Sequence, residues 1–371
     1  MWFRRMSLEE WFDKYQYRVR FDVGESAVKF LKVRDLGLDL SEIDLRYGHH
    51  LGRPDLRAEI AKEYDGLSGD HVLVTSGGAE GIFAITAALV RPGDHVIVEH
   101  PNYPSTYEVA RGLGCEVTLL PLAMEHGFRP DLDRLDSLVT SRTRLLIFTH
   151  PNNPTGSMIE PSDLDHLIRF AEAHRIHLLF DETYRHLAFG PSLPAAATLS
   201  PWAISLTSMS KCYGLPGIRI GWLATRSREI LDGVLAVREQ VTITNTALGE
   251  AIATAVLARR GEFLERARAH ICANFALVAG WMDAQRGYLE WVAPEGGVVA
   301  LPRLAETVAG DPETLYRSLA EDHEVFVIPG RCFEVDNRFF RLGFGATREE
   351  LSAGLDRVGA ALAAVAGSVA R

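Results

Sequence analysis

The chain has 371 residues, 47% of them apolar and 24% charged, with a formal net charge of −10. That length exceeds one ordinary core and predicts a large domain joined to a smaller one. The composition is that of a globular protein, and the acidic balance argues against a nucleic-acid or anionic-membrane partner.

Ser7-Leu8-Glu9-Glu10 reads as a capping box and predicts a short helix to about Tyr15. Its aromatics Trp11, Phe12 and Tyr15 suit packing either on the same chain or on a partner chain. Arg4 and Arg5 are followed by Glu9, Glu10 and Asp13, so the apolar stretch of a signal peptide is absent here. No later apolar run is long enough to span a bilayer. Pro54 to Tyr64 predicts an amphipathic helix with proline in its first turn. Strand and helix patterns then alternate. Strands are predicted at His71–Thr75, His95–Val98, Glu116–Leu120, Arg144–Phe148, Ile176–Phe180 and Ala203–Leu206. Helices are predicted at Glu80–Leu89, Ser105–Gly112 and Pro161–His174. Strands rich in Val, Ile and Leu, alternating with helices, predict an α/β fold whose parallel sheet is buried on both faces. One long alanine-rich helical stretch runs from about Thr246 to Ala284. Strands at Val298–Leu301, Val325–Ile328 and Phe339–Leu342 and helices at Pro312–Glu321 and Arg348–Val365 complete an α+β pattern. Cys115, Cys212, Cys272 and Cys332 lie far apart without a C-x-x-C pair, which predicts reduced thiols in a cytoplasmic protein and no zinc site.

In an open α/β sheet, ligands bind beyond the carboxyl ends of the strands. Thr75-Ser76-Gly77-Gly78-Ala79-Glu80 lies between a strand and a helix, and suits either a tight turn or an anion at the helix N-terminus. His150-Pro151-Asn152-Asn153-Pro154-Thr155-Gly156 is a polar loop with two asparagines between prolines. Asp181 in Asp181-Glu182-Thr183-Tyr184 ends an apolar strand, where a carboxylate needs a cationic partner unless it caps a helix. The strongest segment is Ser208 to Trp222. It sets Lys211 among small and apolar residues, where an amine can lose its proton and act as a nucleophile, with Arg219 eight residues on.

Together these motifs resemble the class I/II aminotransferase family of fold-type-I pyridoxal-phosphate enzymes, from roughly Tyr47 to the C-terminus. The resemblance implies a large domain of residues 44–263, with a mostly parallel sheet between helices, and a smaller α+β domain of residues 1–43 and 264–371. It implies that Lys211 holds pyridoxal 5′-phosphate as a Schiff base and later moves a proton at the substrate. Asp181 would pair with the pyridine nitrogen, Tyr184 and Asn153 with the ring's phenolic oxygen, and Tyr103 would stack on the ring. Gly78, Ala79, Ser208, Ser210 and Arg219 would hold the phosphate, joined by Tyr47 from a neighbouring subunit, which makes a homodimer the expected state. Arg341 would clamp the substrate α-carboxylate, and the backbone of Gly24 would lie against the substrate. His49 and His50 add polar groups beside Tyr47.

The chain departs from the family's pattern at its N-terminal arm. It reads Gly24-Glu25-Ser26-Ala27-Val28-Lys29-Phe30 where relatives often read Gly-Glu-Pro-Asp-Phe. Glu25 is expected in solvent, with a basic group as the other option. No arginine lies within Val241–Gly249 to meet a distal substrate carboxylate. The expected activity is transfer of an amino group from an amino acid to a 2-oxo acid. The alternative is elimination, replacement or cyclisation, as in specialised enzymes resembling capreomycidine synthase. A ligand-sensing domain of a transcription regulator is not expected, because fewer than fifty residues precede Tyr47.

Overall fold

The computed structural model describes residues 2–369, with side chains through Val365. A seven-stranded sheet forms its centre, in the order Val72–Thr75, Gly221–Ala224, Ala203–Ser208, His177–Asp181, Thr143–Thr149, His95–His100, Glu116–Pro121. All neighbours pair in parallel except Gly221–Ala224, which runs against both of its partners. The expected parallel sheet is therefore mixed at this one strand, which the loop Met209–Ile220 returns antiparallel beside Ala203–Ser208.

Period-two burial explains why the strands read as unbroken apolar runs. Leu145 and Ile147 point into one apolar cluster, with Ile82 and Ile85 of the helix Gly78–Leu89. Leu146 and Phe148 point into the other, with Leu164, Leu167 and Ile168 of the helix Pro161–His174. Each such side chain contributes roughly 1.5–3 kcal/mol by leaving water. The helix Arg228–Glu239, which the sequence reading passed over, supplies Ile230, Leu231 and Val234 to the first cluster.

Several expectations need correction. Ser7 does not cap its helix: Met6 is the N-cap, and it makes no side-chain cap hydrogen bond. The helix Ser7–Tyr15 is held instead by packing on its own chain. Trp11 and Tyr15 are buried, Trp11 Nε1 donates to the Val327 carbonyl at 2.8 Å and Tyr15 Oη to Glu321 at 2.8 Å. The long helix breaks at Arg259 into Ala247–Ala258 and Arg260–Ala284. The first part packs on Pro54–Ala61 and the second on the helix Arg348–Val369, and the break lets one chain serve both. The run Val325–Ile328 divides as well. Val325–Phe326 pairs in parallel with Phe21–Asp22, while Ile328–Pro329 pairs antiparallel with Phe340–Gly343. The N-terminal arm is thereby woven into the C-terminal part of the fold. The four cysteines are free thiols. Among the described residues, no helix is long and apolar enough to cross a membrane.

Leu146→Ala would open a void between the sheet and the helix Pro161–His174. It is expected to cost about 2–5 kcal/mol, read as a lower urea midpoint at matched protein concentration.

Candidate active site

The sheet places its chemistry at one edge. The carboxyl ends of six strands and the amino end of Gly221–Ala224 all lie there. A cavity of about 460 Å³ opens above them. Lys211, Asp181, Tyr184, Tyr103, Asn153, Gly78, Ala79, Ser208, Ser210, Arg219 and Arg341 all line it.

At one end the helix Gly78–Leu89 begins, with Gly77 at φ +86° before it. A Cβ on Gly77 would stand 2.5 Å from Arg219 Nη2, so glycine is required for the guanidinium to approach this turn. Arg219 donates to the carbonyls of Pro216 (2.9 Å) and Ser76 (3.4 Å). Among the described residues it has no carboxylate within ion-pair distance. With Ser208 and Ser210 beside the free amides of the helix start, this end is a cradle for an anion.

Asp181 forms the floor. It is 8% exposed, and Oδ1 accepts the Thr183 N–H at 3.0 Å. Burial pushes its carboxyl up, against the hydrogen bonds from Thr183, and Glu99 adds to the rise. The cationic partner expected from the sequence is absent: among the described residues no cation makes an ion pair with Asp181. Beneath it lies a fully buried pair, with His150 Nε2 2.9 Å from Glu99 Oε2. Glu99 Oε1 also accepts from Thr149 N (2.5 Å) and Asn152 Nδ2 (3.2 Å), which fixes the loop carrying Asn153. The sequence reading had not singled out this network.

The other end belongs to Arg341 and the N-terminal arm. Arg341 is 1% exposed and sits on the strand Phe340–Gly343. Its Nε and Nη2 donate to the Gly24 carbonyl at 3.1 and 2.7 Å, and Nη1 donates to Asn153 Oδ1 at 3.1 Å. No carboxylate among the described residues makes an ion pair with it. Gly24 thus stays outside the cavity lining, and its carbonyl orients the arginine.

Lys211 corrects the sequence reading most sharply. Its Nζ donates to Ser26 Oγ (2.9 Å) and Glu25 Oε1 (3.2 Å). Burial alone would push this amine down. Glu25 and then Tyr184 outweigh burial and hold it above the usual lysine range, so here the amine keeps its proton. Glu25 is likewise not solvated. Burial would raise it, but Lys211 and Arg341 hold its carboxyl below the ordinary range. Tyr184 Oη donates to the Ser26 carbonyl at 2.7 Å, and burial pushes its phenol up. Tyr103 Oη reaches Glu9 at 3.4 Å.

The sequence reading also missed the roof. Glu9, Phe12, Asp13 and Gln16 line the cavity at the i, i+3, i+4, i+7 spacing of one helical face. That spacing was readable; what was missing was where the face points. Tyr47 is not in the cavity. It is 81% exposed and borders a separate hollow with His49 and Glu250. His50 Nδ1 meets Glu239 at 2.5 Å, also away from the cavity.

Residues 20–358 match the family described as aminotransferase class I and II. The chain belongs to that family. Capreomycidine synthase of Streptomyces vinaceus is 31% identical to it, over 94% of this chain and 91% of that protein. The crystal structure of a PLP-dependent aminotransferase from Streptococcus suis superposes with a TM-score of 0.93 at 28% identity, covering 98% of this chain and 99% of that one. The crystal structure of the PLP-dependent cyclase OrfR does so with a TM-score of 0.90 at 29% identity, covering 98% of each. The fold is thus the fold-type-I architecture expected for the aminotransferase family. The residues fit the implied pyridoxal phosphate: an anion cradle at one end, a buried carboxylate lacking a counter-ion for the ring nitrogen, and an amine in the same cavity.

In cofactor-free protein, Glu25→Gln removes the main charge that holds the Lys211 proton and leaves burial and Arg341 acting against it, opposed only by Tyr184. The Lys211 pKa is then expected to fall, and reductive methylation at pH 8.5, followed by mass spectrometry, should proceed faster at Lys211 than in wild type.

Proposed function

We propose that this protein is a pyridoxal-phosphate enzyme that moves the amino group of an amino acid to a 2-oxo acid, with Lys211 as its catalytic amine. The observation that carries this reading is the placement of Lys211 in one cavity between an anion cradle and a buried arginine without a carboxylate partner. Bound there, the cofactor supplies an electron-poor ring that draws charge from the substrate's central carbon. Lys211 would carry the cofactor covalently until the substrate amine displaces it, and its freed Nζ would then move the proton at that carbon. Asp181 holds a proton on the ring nitrogen, a role suited to a buried carboxylate in want of a cation. Gly78, Ala79, Ser208, Ser210 and Arg219 bind the phosphate. Tyr184 and Asn153 orient the ring oxygen, and Tyr103 covers the ring face. Arg341 receives the α-carboxylate with two aligned donors.

The same reading makes the working unit a homodimer in the cytoplasm. Tyr47 stands exposed, away from the cavity of its own chain, as a residue meant for a second copy would. A larger unit of residues 44–263 and a smaller one of 1–43 with 264–371 are proposed on the same basis. The pairing of Phe21–Asp22 with Val325–Phe326 supports joining the two chain ends.

A second reading, cyclisation, is favoured by the capreomycidine synthase match over 94% of the chain. The cofactor anchors serve both chemistries, so product analysis separates them. With a ¹⁵N-labelled donor amino acid and an added 2-oxo acid, transfer puts the label into a new amino acid made from the acceptor. A product that keeps the label and all the donor's carbons, with the acceptor unconsumed, would establish cyclisation.

Lys211→Ala is expected to abolish the absorbance band of the covalently linked cofactor and nearly all turnover. Arg341→Ala should raise the amino-acid KM by about 100-fold or more, as expected for loss of a buried charged pair, with much less effect on cofactor affinity. Steady-state kinetics beside a cofactor titration tests that split.

A further inference from the structure

Apart from Asp181, the acidic groups of the cavity have no part in the reading above. Its cations do: Lys211 serves the cofactor, Arg219 the phosphate and Arg341 the α-carboxylate. Among the described residues no further arginine lines the cavity, so a distal carboxylate on the substrate would find no partner. Once Asp181 is given to the ring nitrogen, the acids left are Glu25, Glu9 and Asp13, all from the N-terminal arm. Asp13 is exposed and paired with Arg5, so water and salt screen it. Glu25 differs. Its side chain is 21% exposed and sits beside the reacting centre.

Glu25 pairs directly with one cation, Lys211, while Arg341 attracts it from farther away. Its Oε1 accepts from Lys211 Nζ (3.2 Å) and the Ser26 N–H (2.8 Å), and its Oε2 accepts from Gln16 Nε2 (3.2 Å). The Gln16 amide also donates to Asp22 Oδ2 at 3.0 Å, so two carboxylates share one neutral donor. Lys211 is the only cation within ion-pair distance of Glu25 among the described residues. Committing the Lys211 amine to the cofactor removes that ammonium from Glu25. With Arg341 answering the α-carboxylate, a largely buried carboxylate left with the Gln16 amide, the Ser26 N–H and a neighbouring Asp22 is costly until a cation returns.

We propose that the substrate returns it: this site takes an amino acid whose side chain ends in a guanidinium or ammonium group, seated on Glu25 while Arg341 holds the α-carboxylate. The inference rests on the proposed function and narrows its substrate class. The two recognition points are adjacent in the chain, since the Gly24 carbonyl orients Arg341 and the next residue is Glu25. Glu9 adds negative potential from the roof.

The test titrates holoenzyme with L-arginine, with L-citrulline (of the same shape but with a neutral end) and with L-norleucine, reading dissociation constants from the cofactor absorption. Arginine is expected to bind at least about tenfold more tightly than citrulline, and Glu25→Gln should reduce that ratio to about twofold or less. Equal binding of arginine and citrulline to wild type overturns the inference, as does a preference that survives in Glu25→Gln. In both cases the absorption still responds, and the amino-acid reading of the site stands. A cofactor band that responds to none of the three sinks both. The wild-type ratio decides the substrate class even if the variant does not fold.

Discussion

A charge taken out of water must meet its opposite, and the cavity at the strand ends is arranged around that rule. Asp181 and Arg341 are both nearly sealed from solvent, yet among the described residues neither has an oppositely charged partner within ion-pair distance. Each is held by neutral groups, Asp181 by the Thr183 amide and Arg341 by the Gly24 carbonyl and the Asn153 amide. Unpaired buried charges of both signs in one cavity are expensive for a fold to keep. They make sense as halves of pairs completed by ligands, a cationic ring on one side and a carboxylate on the other. Lys211 and Glu25 answer each other meanwhile, and that pairing is what ligands must disturb.

The fold is what brings these groups within reach. Parallel strands point their carboxyl ends the same way, so residues far apart in sequence gather at one edge. The two apolar clusters on either side of the sheet keep that edge rigid. The C-terminal part contributes Arg341 from a separate short sheet, and the N-terminal arm closes the gap between the two. Gly343 N donates to the Val23 carbonyl and Val28 N to the Lys211 carbonyl, so the arm is laced to both walls of the cavity. A Cβ on Gly345 would come within 1.7 Å of the Ala27 carbonyl, which shows how closely the arm lies.

What the sequence made legible follows from this division. Motifs tied to a strand end, such as Asp181 after His177–Asp181 or Ser208 to Lys211 after Ala203–Ser208, carry their position with them, because the local pattern fixes both strand and turn. Gly77 and Arg219 were readable for a similar reason, a glycine turn and a cation each suited to an anion. Glu25 was not. A glutamate in an irregular arm has no periodicity to say which way it faces, and its burial depends on Lys211 and Gln16, which are distant in sequence or on another element. The helix Ser7–Tyr15 was legible as a helix, with an apolar face, but the polar face over the cavity acquires its meaning only from the tertiary fold. The break at Arg259 was hidden for the same reason: alanine-rich sequence favours helix on both sides, and only the change of packing partner divides it.

The protonation of Lys211 ties Glu25 to the cofactor end of the cavity. An amine that is to bond covalently to an aldehyde must shed its proton, whereas the Glu25 carboxylate favours keeping it. The two demands are reconciled if the carboxylate has a second employment. Glu25 then keeps the buried amine charged and anchored by Ser26 before the cofactor arrives, and faces the substrate side of the cavity afterwards. Gln16 is placed to steady the carboxylate through that change, because its amide donates to Glu25 and Asp22 without involving Lys211. A glutamine suits this post better than a cation would. An arginine or lysine at position 16 would neutralise Glu25 permanently and remove its reason to seek any other positive charge.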